Sequence, residues 1–387
     1  MNTLKWLTIF ALLVVSYHAK EASQRMKGVW VATVDGLDYP KQRSTNPEIL
    51  KQQADTIISN AKAFGMNTIF FQVRPTADAF YKSSIFPWSI YLTGASQGTA
   101  PENDFDPLSY WIEQSHKNGL ELHAWLNPYR ITFTDEAFEA LADTNPAKLH
   151  PEWVVQYSNQ KYYFDPGVPA TKDLIIDGAV EIVKNYDVDG IHIDDYFYPG
   201  KDFDDSRSFA QYGSEFDNVD DFRWNNINKL IEGLNTRIHE ANPNVKFGVS
   251  PAGIWANKAT NPLGSETSGH ESYYNYYCDS YTWIKQNMID YIIPQIYWSI
   301  GFEVADYSVL LDWWSEVAKD SKVELYIGMS DYKAASTTSV QFPYGSEEIE
   351  RQLELNKNNP VVKGEVHFSY KSIEDCPELN EFYRNHY

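Results

Sequence analysis

The 387-residue sequence is short of basic side chains. Lysine and arginine together number 32, against 53 aspartates and glutamates, so the formal net charge is −21. A protein that binds DNA or RNA relies on basic side chains to neutralise the phosphates. The composition therefore argues against a nucleic-acid partner.

Cysteine is also scarce, since the chain contains Cys278 and Cys376 and no others. The two lie far apart in sequence, and their spacing matches no zinc-binding pattern. We predict neither a metal ion nor a cofactor, and the sequence leaves open whether the two cysteines form a disulfide.

Three further patterns are missing from the sequence. No glycine-rich phosphate loop follows a predicted strand, which weakens a nucleotide-binding hypothesis. No G-x-S-x-G motif is present, so a serine nucleophile is poorly supported. No linker rich in proline and serine divides the chain, and we therefore predict a single domain over residues 25–387.

Long apolar runs are limited to the N-terminus. Lys5 precedes a mostly apolar run of ten residues, 6–15, which is too short to span a bilayer as a helix. We interpret residues 1–22 as a signal peptide, and the alternative is a buried N-terminal strand or helix. The prediction is an exported protein, periplasmic or extracellular, with no membrane span after the signal is removed.

Aromatic residues, by contrast, are plentiful: 12 Trp, 27 Tyr and 20 Phe. Flat rings stack well on the apolar faces of sugars, but they also fill protein cores. This abundance favours a carbohydrate ligand without establishing one.

Short β-rich runs alternate with amphipathic helical stretches along the rest of the chain. The predicted strands are 28–34, 67–73, 120–126, 190–194, 246–250, 291–298, 324–329 and 364–370. The predicted helices are 46–65, 106–119, 171–186, 220–241, 279–288, 307–320, 345–357 and 377–385. Eight strand–helix pairs predict an α/β fold, a single (β/α)8 TIM barrel.

In such a barrel the active site lies at the C-terminal face, in the loops that follow the strands. Three of these loops are long, 74–105, 195–219 and 251–278, and polar or aromatic side chains stand at most strand ends. The candidates for substrate binding are Arg74, Asn127, Tyr129, Arg130, His192, Trp255, Gln295, Tyr297 and Trp298.

Some of these residues have an equally good structural interpretation. Arg74 and Arg130 could pair with carboxylates at the rim instead of holding substrate. Trp255 and Trp298 could be wall packing instead of sugar platforms. His192 could support a neighbouring carboxylate or be a satisfied interior residue.

Adjacent carboxylates follow the fourth strand in the segment "DGIHIDDYFYP". Glycoside hydrolysis usually needs two carboxyl groups that flank the scissile bond. Because side chains alternate along a strand, Asp194 shares a face with His192 if the strand continues that far, and Asp195 then points elsewhere.

Several segments resemble the glycosyl hydrolase-like 10 family, which is distinct from the family-10 xylanases. They are "KGVWVATVDG", "FFQVRPTADAFY", "DPLSYWIEQSHKNGLELHAWLNPYR", "DVDGIHIDDYFYP", "KFGVSPAGIW" and "IDYIIPQIYWSIG", and the likeness runs from about residue 26 to about 330. The resemblance implies an exported bacterial barrel related to retaining glycosidases, with bacterial cell-wall glycan as its substrate.

Two other glycosidase groups help to interpret the fourth strand. Retaining α-glucan hydrolases place a nucleophilic aspartate at a similar position, two residues after a basic one, as Asp194 follows His192 here. Family-18 chitinases have a glutamate proton donor where this sequence has Tyr196, which argues against their mechanism.

We therefore predict a glycoside hydrolase that acts on a bacterial polysaccharide, plausibly the glycan strands of peptidoglycan. Asp194 is the favoured nucleophile or oxocarbenium stabiliser, with Asp195 second. Asp78 is the acid/base candidate, and weaker choices are Glu266, Glu271 and Asp331. The alternatives are a non-catalytic glycan-binding barrel and, with less support, a metal-dependent polysaccharide deacetylase.

Overall fold

The protein is a closed barrel of eight parallel strands. The computed structural model describes residues 25–133, 138–157, 161–336 and 340–387. The strands are β1 Met26–Val31, β2 Thr68–Arg74, β3 Glu121–Leu126, β4 Gly190–Ile193, β5 Lys246–Val249, β6 Tyr291–Ile292, β7 Glu324–Met329 and β8 Val362–His367. They pair in sequence order and β8 closes on β1, which confirms the predicted TIM barrel.

Helices connect the strands around the outside of the barrel. The α-helices are α1 Pro47–Ala63, α2 Ile90–Thr93, α3 Pro107–Lys117, α4 Pro146–Leu149, α5 Pro169–Asn185, α6 Ser206–Tyr212, α7 Val219–Ala241, α8 Ser272–Tyr276, α9 Ser280–Lys285, α10 Tyr307–Ala318, α11 Asp331–Ala334, α12 Ser346–Asn358, α13 Tyr370–Glu374 and α14 Pro377–His386. Short 3-10 turns cover Val34–Gly36, Glu102–Asp104, Phe138–Ala140 and Pro151–Trp153. A small antiparallel hairpin pairs Val154–Gln156 with Tyr162–Phe164.

Local sequence explains where the long helices begin and end. Asn46 caps α1 by accepting a hydrogen bond from the Glu48 amide at 2.9 Å, and proline follows as the first helical residue. The turn after α1 needs Gly65, whose φ is +77° and whose missing side chain leaves room for the C-terminal Tyr387. These signals made the helix boundaries predictable.

Apolar side chains form two layers. The larger layer lies between the strands and the surrounding helices. The smaller fills the barrel interior and includes Trp30, Phe70, Trp125 and Tyr291. Because the interior is packed with rings, a ligand can enter only above it, at the ends of the strands.

The sixth strand is much shorter than predicted. The sequence predicts a strand over 291–298, but the ladder covers only Tyr291 and Ile292. Pro294 has no N–H to donate, and Gln295 then makes isolated bridges to Ala252 and Gly328. The regular ladder therefore ends early, but these bridges keep the chain beside its neighbours up to Gln295, which lines the rim together with Tyr297.

The structure describes both cysteines but not the predicted signal peptide. Residues 1–22, the predicted signal peptide, lie outside the described residues, so export stays a prediction. None of the described helices is both long enough and apolar enough to cross a bilayer. Cys278 is buried, Cys376 is half-buried, and both are free thiols.

A buried ion pair fixes the long loop that follows β4. Arg223, in α7, donates to both oxygens of Asp205 at 2.8 and 2.6 Å, and also to the hydroxyl of Tyr277 at 2.9 Å. Its remaining hydrogen bonds go to the carbonyls of Lys201 and Phe203 in the same loop. This one side chain therefore ties the loop to the outer helices.

We expect Arg223→Met to lower the free energy of unfolding by about 3–5 kcal/mol, because it leaves Asp205 buried and unpaired. Urea denaturation measures the change. Arg237→Met is the matched control in the same helix, since its partner Asp177 is exposed, and we expect a loss below about 1 kcal/mol. Equal losses in the two variants would contradict this account.

Candidate active site

A cavity of about 370 Å³ lies above the barrel interior, at the C-terminal ends of the strands. Its volume lies within the range of small-molecule sites. Aromatic rings form much of its wall: Trp30, Trp125, Phe133, Tyr196, Tyr297, Tyr332 and Phe368. The polar side chains that line it are Gln72, Arg130, Asp194, Asp195, Ser250 and Gln295.

Asp194 is held firmly by N–H donors. Asn127 Nδ2 lies 3.2 and 3.1 Å from the two carboxyl oxygens, and Trp125 Nε1 donates to Oδ2 at 3.1 Å. The backbone amide of Tyr196 reaches Oδ1 at 3.4 Å. Asp194 is 3% exposed. Each of these groups can donate a hydrogen but cannot accept one, so they favour the ionised carboxylate.

Asp195 lines the same cavity. Strand alternation would have turned it away, but β4 ends at Ile193, so neither aspartate lies in the regular strand. Asp195 is half-buried, whereas Asp194 is buried. The structure therefore brings the two carboxyl groups together at one wall of the cavity.

Burial perturbs both carboxyl groups. The pKa of Asp194 is raised to about 7, chiefly by burial and also by the neighbouring Asp195, while Arg130, Asn127 and Trp125 oppose the rise. Burial also raises the pKa of Asp195, and Gln295 opposes that shift. Two neighbouring carboxyl groups titrate as a pair, and the raised pKa of Asp194 lets this pair retain one proton up to about pH 7.

The raised pKa predicts a pH dependence of stability. In the unfolded chain an aspartate loses its proton near pH 4, whereas the folded Asp194–Asp195 pair, in which the pKa of Asp194 is raised to about 7, keeps one proton up to about that pH. The folded state binds the extra proton between these values, so the free energy of unfolding falls as pH rises through this window, by up to about 4 kcal/mol. Asp194→Asn breaks up the pair, and its stability should vary less between pH 4 and 7.

Urea denaturation of the wild type and Asp194→Asn at pH 4.5, 6 and 8 measures this difference. We expect the variant to be the more stable of the two at pH 8 and to lose that advantage toward pH 4.5. The same pH dependence in both proteins would show that Asp194 titrates normally.

His192 lies below the cavity, in the barrel interior. Its Nε2 accepts from Trp30 Nε1 at 3.2 Å and contacts Ser250 Oγ at 3.0 Å, while its Nδ1 lies 3.3 Å from the Tyr291 hydroxyl. Since an indole N–H can only donate, Nε2 carries no proton. Burial and the nearby His123 hold the pKa of His192 well below its usual value. The residue supports the cavity floor and does not line the cavity.

Several predicted substrate-binding residues do meet in the cavity. Arg130, Gln295 and Tyr297 line it. The Arg130 guanidinium lies 4.6 Å from the centre of the Tyr196 ring. Asn127 stands behind Asp194 and also accepts from the Arg130 amide at 3.1 Å, so it orients both the carboxylate and the turn after β3.

Asp78 and Arg74 do not meet Asp194. Asp78 is fully buried and lines a separate small cavity, where it accepts from Thr76 Oγ1 at 2.9 Å. Arg74 is the last residue of β2, and its side chain points out of the barrel, with the guanidinium against Gly178 of α5 and 3.8 Å from the centre of the Phe86 ring. Both side chains lie away from the barrel mouth, so this geometry does not support Asp78 as the acid/base.

The remaining predicted residues are packing elements. Tyr129 is buried and does not line the cavity. Trp255 is buried in a stack with Tyr281 and Trp313, at ring distances of 5.1 and 5.8 Å. Trp298 is half-buried beyond the cavity, with Lys333 Nζ 5.7 Å from its ring.

The weaker acid/base candidates also lie outside the cavity. Glu266 pairs with Lys258 at the surface. Glu271 accepts from the Asn257 amide at 2.8 Å. Asp331 is fully buried between His367 and Tyr383, at 3.0 and 2.5 Å.

Sequence reasoning missed most of the rings in the wall. Trp30 and Trp125 lie near the ends of β1 and β3 and point into the barrel, and Phe368 follows β8. The signal was available for the two tryptophans, because each shares its strand's inward face with other interior residues. A ring on that face close to the strand end is the pattern to search for.

Metal-binding geometry is not evident in the part of the chain that the structure describes. No three histidine, cysteine, aspartate or glutamate side chains gather there as a metal site would require. His123 and His192 instead both contact the Tyr291 hydroxyl.

Comparison with known sequences gives a family match and close relatives. The family model described as Glycosyl hydrolase-like 10 matches residues 25–346. "Glycosyl hydrolase YngK" of Bacillus subtilis strain 168 is 44% identical over 374 residues, which are 95% of this chain and 72% of that protein. "Glycosyl hydrolase DigH" of Escherichia coli strain K12 is 36% identical over 371 residues, 90% of this chain and 84% of that protein.

Solved structures match over nearly the whole chain at low sequence identity. The glycoside hydrolase domain of PgaB (BpsB) from Bordetella bronchiseptica gives a TM-score of 0.59 at 13% identity, covering 93% of this chain and 98% of that domain. An endo-β-1,4-mannanase from Thermotoga petrophila gives 0.53 at 10% identity, covering 94% and 77%. At these identities the matches establish the shared barrel fold.

Proposed function

The chain belongs to the glycosyl hydrolase-like 10 family, and we propose on that basis that it cleaves glycosidic bonds in the glycan strands of peptidoglycan at the Asp194–Asp195 pair. The family membership and the barrel fold support a hydrolase that acts on glycans. The substrate and the two aspartates are our own assignment.

One observation carries this proposal. Two adjacent carboxyl groups, Asp194 and Asp195, line an aromatic cavity at the C-terminal ends of the barrel strands. Glycoside hydrolysis uses two carboxyl groups in different protonation states, and rings hold the sugar faces. One cavity holds both kinds of group, and this supports the proposal.

The hydrogen bonds suggest a role for each aspartate. Asp194 receives only N–H donors, so it is the group suited to carry negative charge beside the anomeric carbon, which becomes positive in the transition state. Asp195 is less enclosed, and burial raises its pKa. It is therefore suited to hold the pair's proton and to donate it to the departing glycosidic oxygen.

The rim is suited to a chain of sugars. Tyr196 and Tyr332 both line the cavity mouth, and they are 50% and 42% exposed. Exposed rings of this kind are suited to stacking on successive sugar units. Because peptidoglycan lies outside the cytoplasm, the proposed substrate agrees with the signal peptide predicted from residues 1–22.

The direct test is release of new reducing ends from purified, peptide-free peptidoglycan strands by the mature protein. We expect shortened strands, and we expect a chelator to leave the activity unchanged. Binding of strands without cleavage would favour a glycan-binding barrel. Loss of acetyl groups that stops on chelation would favour a metal-dependent deacetylase.

A further inference from the structure

We propose that Gln72 binds the substrate: the N–H groups of its side-chain amide donate to an oxygen of the sugar unit that lies against Trp125, beside Asp194. This rests on the proposed function and adds to it a residue that selects the sugar. Because an amide nitrogen donates and does not accept, the position that it contacts must offer an oxygen lone pair. Gln72 is thus assigned to binding and specificity, and it takes no part in moving the proton.

The first argument is the position of Gln72 near the end of β2. Phe70 on this strand points into the barrel interior, and Gln72, two residues later, shares that face and lines the cavity. The pairing of β2 with β3 then shifts between Gln72 and Arg74, and Arg74 points out of the barrel. Gln72 is therefore the last inward-facing side chain of β2, at the level where a ligand enters.

The second argument is that the protein fixes the orientation of the amide. Gln72 Oε1 accepts from the backbone amides of Thr33 and Val34, each at 2.9 Å. Turned the other way, the side-chain amide would set its own N–H groups against those two N–H groups. The oxygen therefore faces the turn after β1, and Nε2 is the end of the amide that is left for the cavity.

The third argument is that the protein leaves Nε2 without an acceptor. Gln72 is 1% exposed, yet the hydrogen bonds of its side chain to the described residues all end on Oε1. Gln295 also lines the cavity, but its Nε2 already donates to the carbonyl of Ser250 at 2.8 Å. A buried N–H pair needs an acceptor, and a sugar bound in the cavity can supply one to Gln72.

The fourth argument is where Gln72 lies relative to Asp194. In the register of the barrel Gln72 is paired with Trp125 of β3, and Trp125 Nε1 donates to Asp194. Gln72 and Asp194 thus lie on either side of Trp125, two strand spacings or about 10 Å apart along the sheet. A sugar ring in contact with Trp125 can therefore present its anomeric carbon to Asp194 and a more distant oxygen to Gln72.

Calorimetry with a set of matched ligands tests the inference. The probe is a disaccharide fragment of the peptidoglycan strand with sulfur in place of the linking oxygen, which resists hydrolysis. It is compared with analogues that each lack one oxygen of the sugars. We expect one analogue to bind the wild type about 10-fold more weakly than the parent does. Gln72→Met should bind the parent about 10-fold more weakly and should no longer distinguish it from that analogue.

The control for the loss of a buried amide is Gln352→Met. Gln352 is fully buried in α12, and its Nε2 donates to the carbonyl of Trp298 and to Glu348, at 3.0 Å each. We expect this variant to lose stability in urea denaturation. Its affinity for the parent and for every analogue should equal that of the wild type.

A second variant separates binding from the support of the turn after β1, and it serves if Gln72→Met does not fold. Gln72→Glu keeps an acceptor for the amides of Thr33 and Val34 and changes the group that faces the cavity. The ratio of parent to analogue affinity should then depart from the wild-type value for the one analogue and match it for the others. Wild-type ratios throughout would mean that Gln72 only holds the turn, and the inference would be overturned.

The remaining outcomes keep the inference apart from the proposed function. If Gln72→Met binds the parent as tightly as the wild type does, or if its loss is the same for the parent and every analogue, the assignment of Gln72 is wrong. If the wild type binds the probe but cuts no strand, the proposed hydrolase is wrong, and the affinity ratios still decide the role of Gln72. If the wild type does not bind the probe, both are wrong.

Discussion

Replacing Asp194 by asparagine is expected to lower kcat/KM on glycan strands by about 10³-fold or more, with the fold intact. Asparagine has nearly the same shape, and its amide oxygen can still accept from Trp125 or Asn127. What disappears is the negative charge beside the anomeric carbon. Reducing-end assays measure the activity, and circular dichroism with urea denaturation checks the fold.

The control for this variant comes from the same part of the chain. Asp187→Asn removes a carboxylate that is 93% exposed and lies before β4, at the other end of the strand from Asp194. We expect activity close to that of the wild type. Wild-type activity in Asp194→Asn as well would end the assignment of this site.

Replacing Asp195 by asparagine should produce a loss that depends on the leaving group. On glycan strands, where the departing sugar oxygen must be protonated, we expect kcat/KM to fall by about 10²–10⁴-fold. Dinitrophenolate departs from a dinitrophenyl glycoside without being protonated. The kcat/KM of the variant on that substrate should therefore remain near that of the wild type. Burial raises the pKa of Asp195, and the decline of activity toward alkaline pH should disappear in the variant, because the group that must keep a proton is gone.

Comparison of Asp195→Asn with Asp194→Asn on the two substrates separates the roles. Asp194→Asn should lose activity on both, because charge beside the anomeric carbon is needed whichever group leaves. If the two variants lose activity equally on strands and on the dinitrophenyl glycoside, Asp195 is not the proton donor.

The sequence was sufficient to predict the barrel, because the relevant signals are local. The Asn46 and Asp106 caps, the glycines that end the helices and the short β-rich runs each depend on a few neighbouring residues. The family, too, was recognised from such segments, and the match over residues 25–346 confirms it. The motif after the fourth strand is likewise a local feature of the sequence.

The set of side chains that line the cavity could not be predicted in the same way. Trp255 and Trp298 follow strands just as Gln295 and Tyr297 do, and Arg74 ends one, yet Arg74 and the two tryptophans pack outside the cavity. The difference depends on where each strand leaves the barrel and on which helix covers the turn after it. Neither quantity is a property of the neighbouring sequence.

The stretch from Asp189 to Pro199 shows which features of the site the local sequence determines and which the tertiary structure decides. The sequence alone determined that a buried strand ends beside two carboxylates, since the apolar run and the aspartates are local features. The tertiary structure decided that Asp195 shares the cavity with Asp194, because β4 stops pairing at Ile193 and strand alternation no longer applies. It also decided that Trp125, Asn127 and Arg130, all brought in by the neighbouring β3, surround the pair and set its charge.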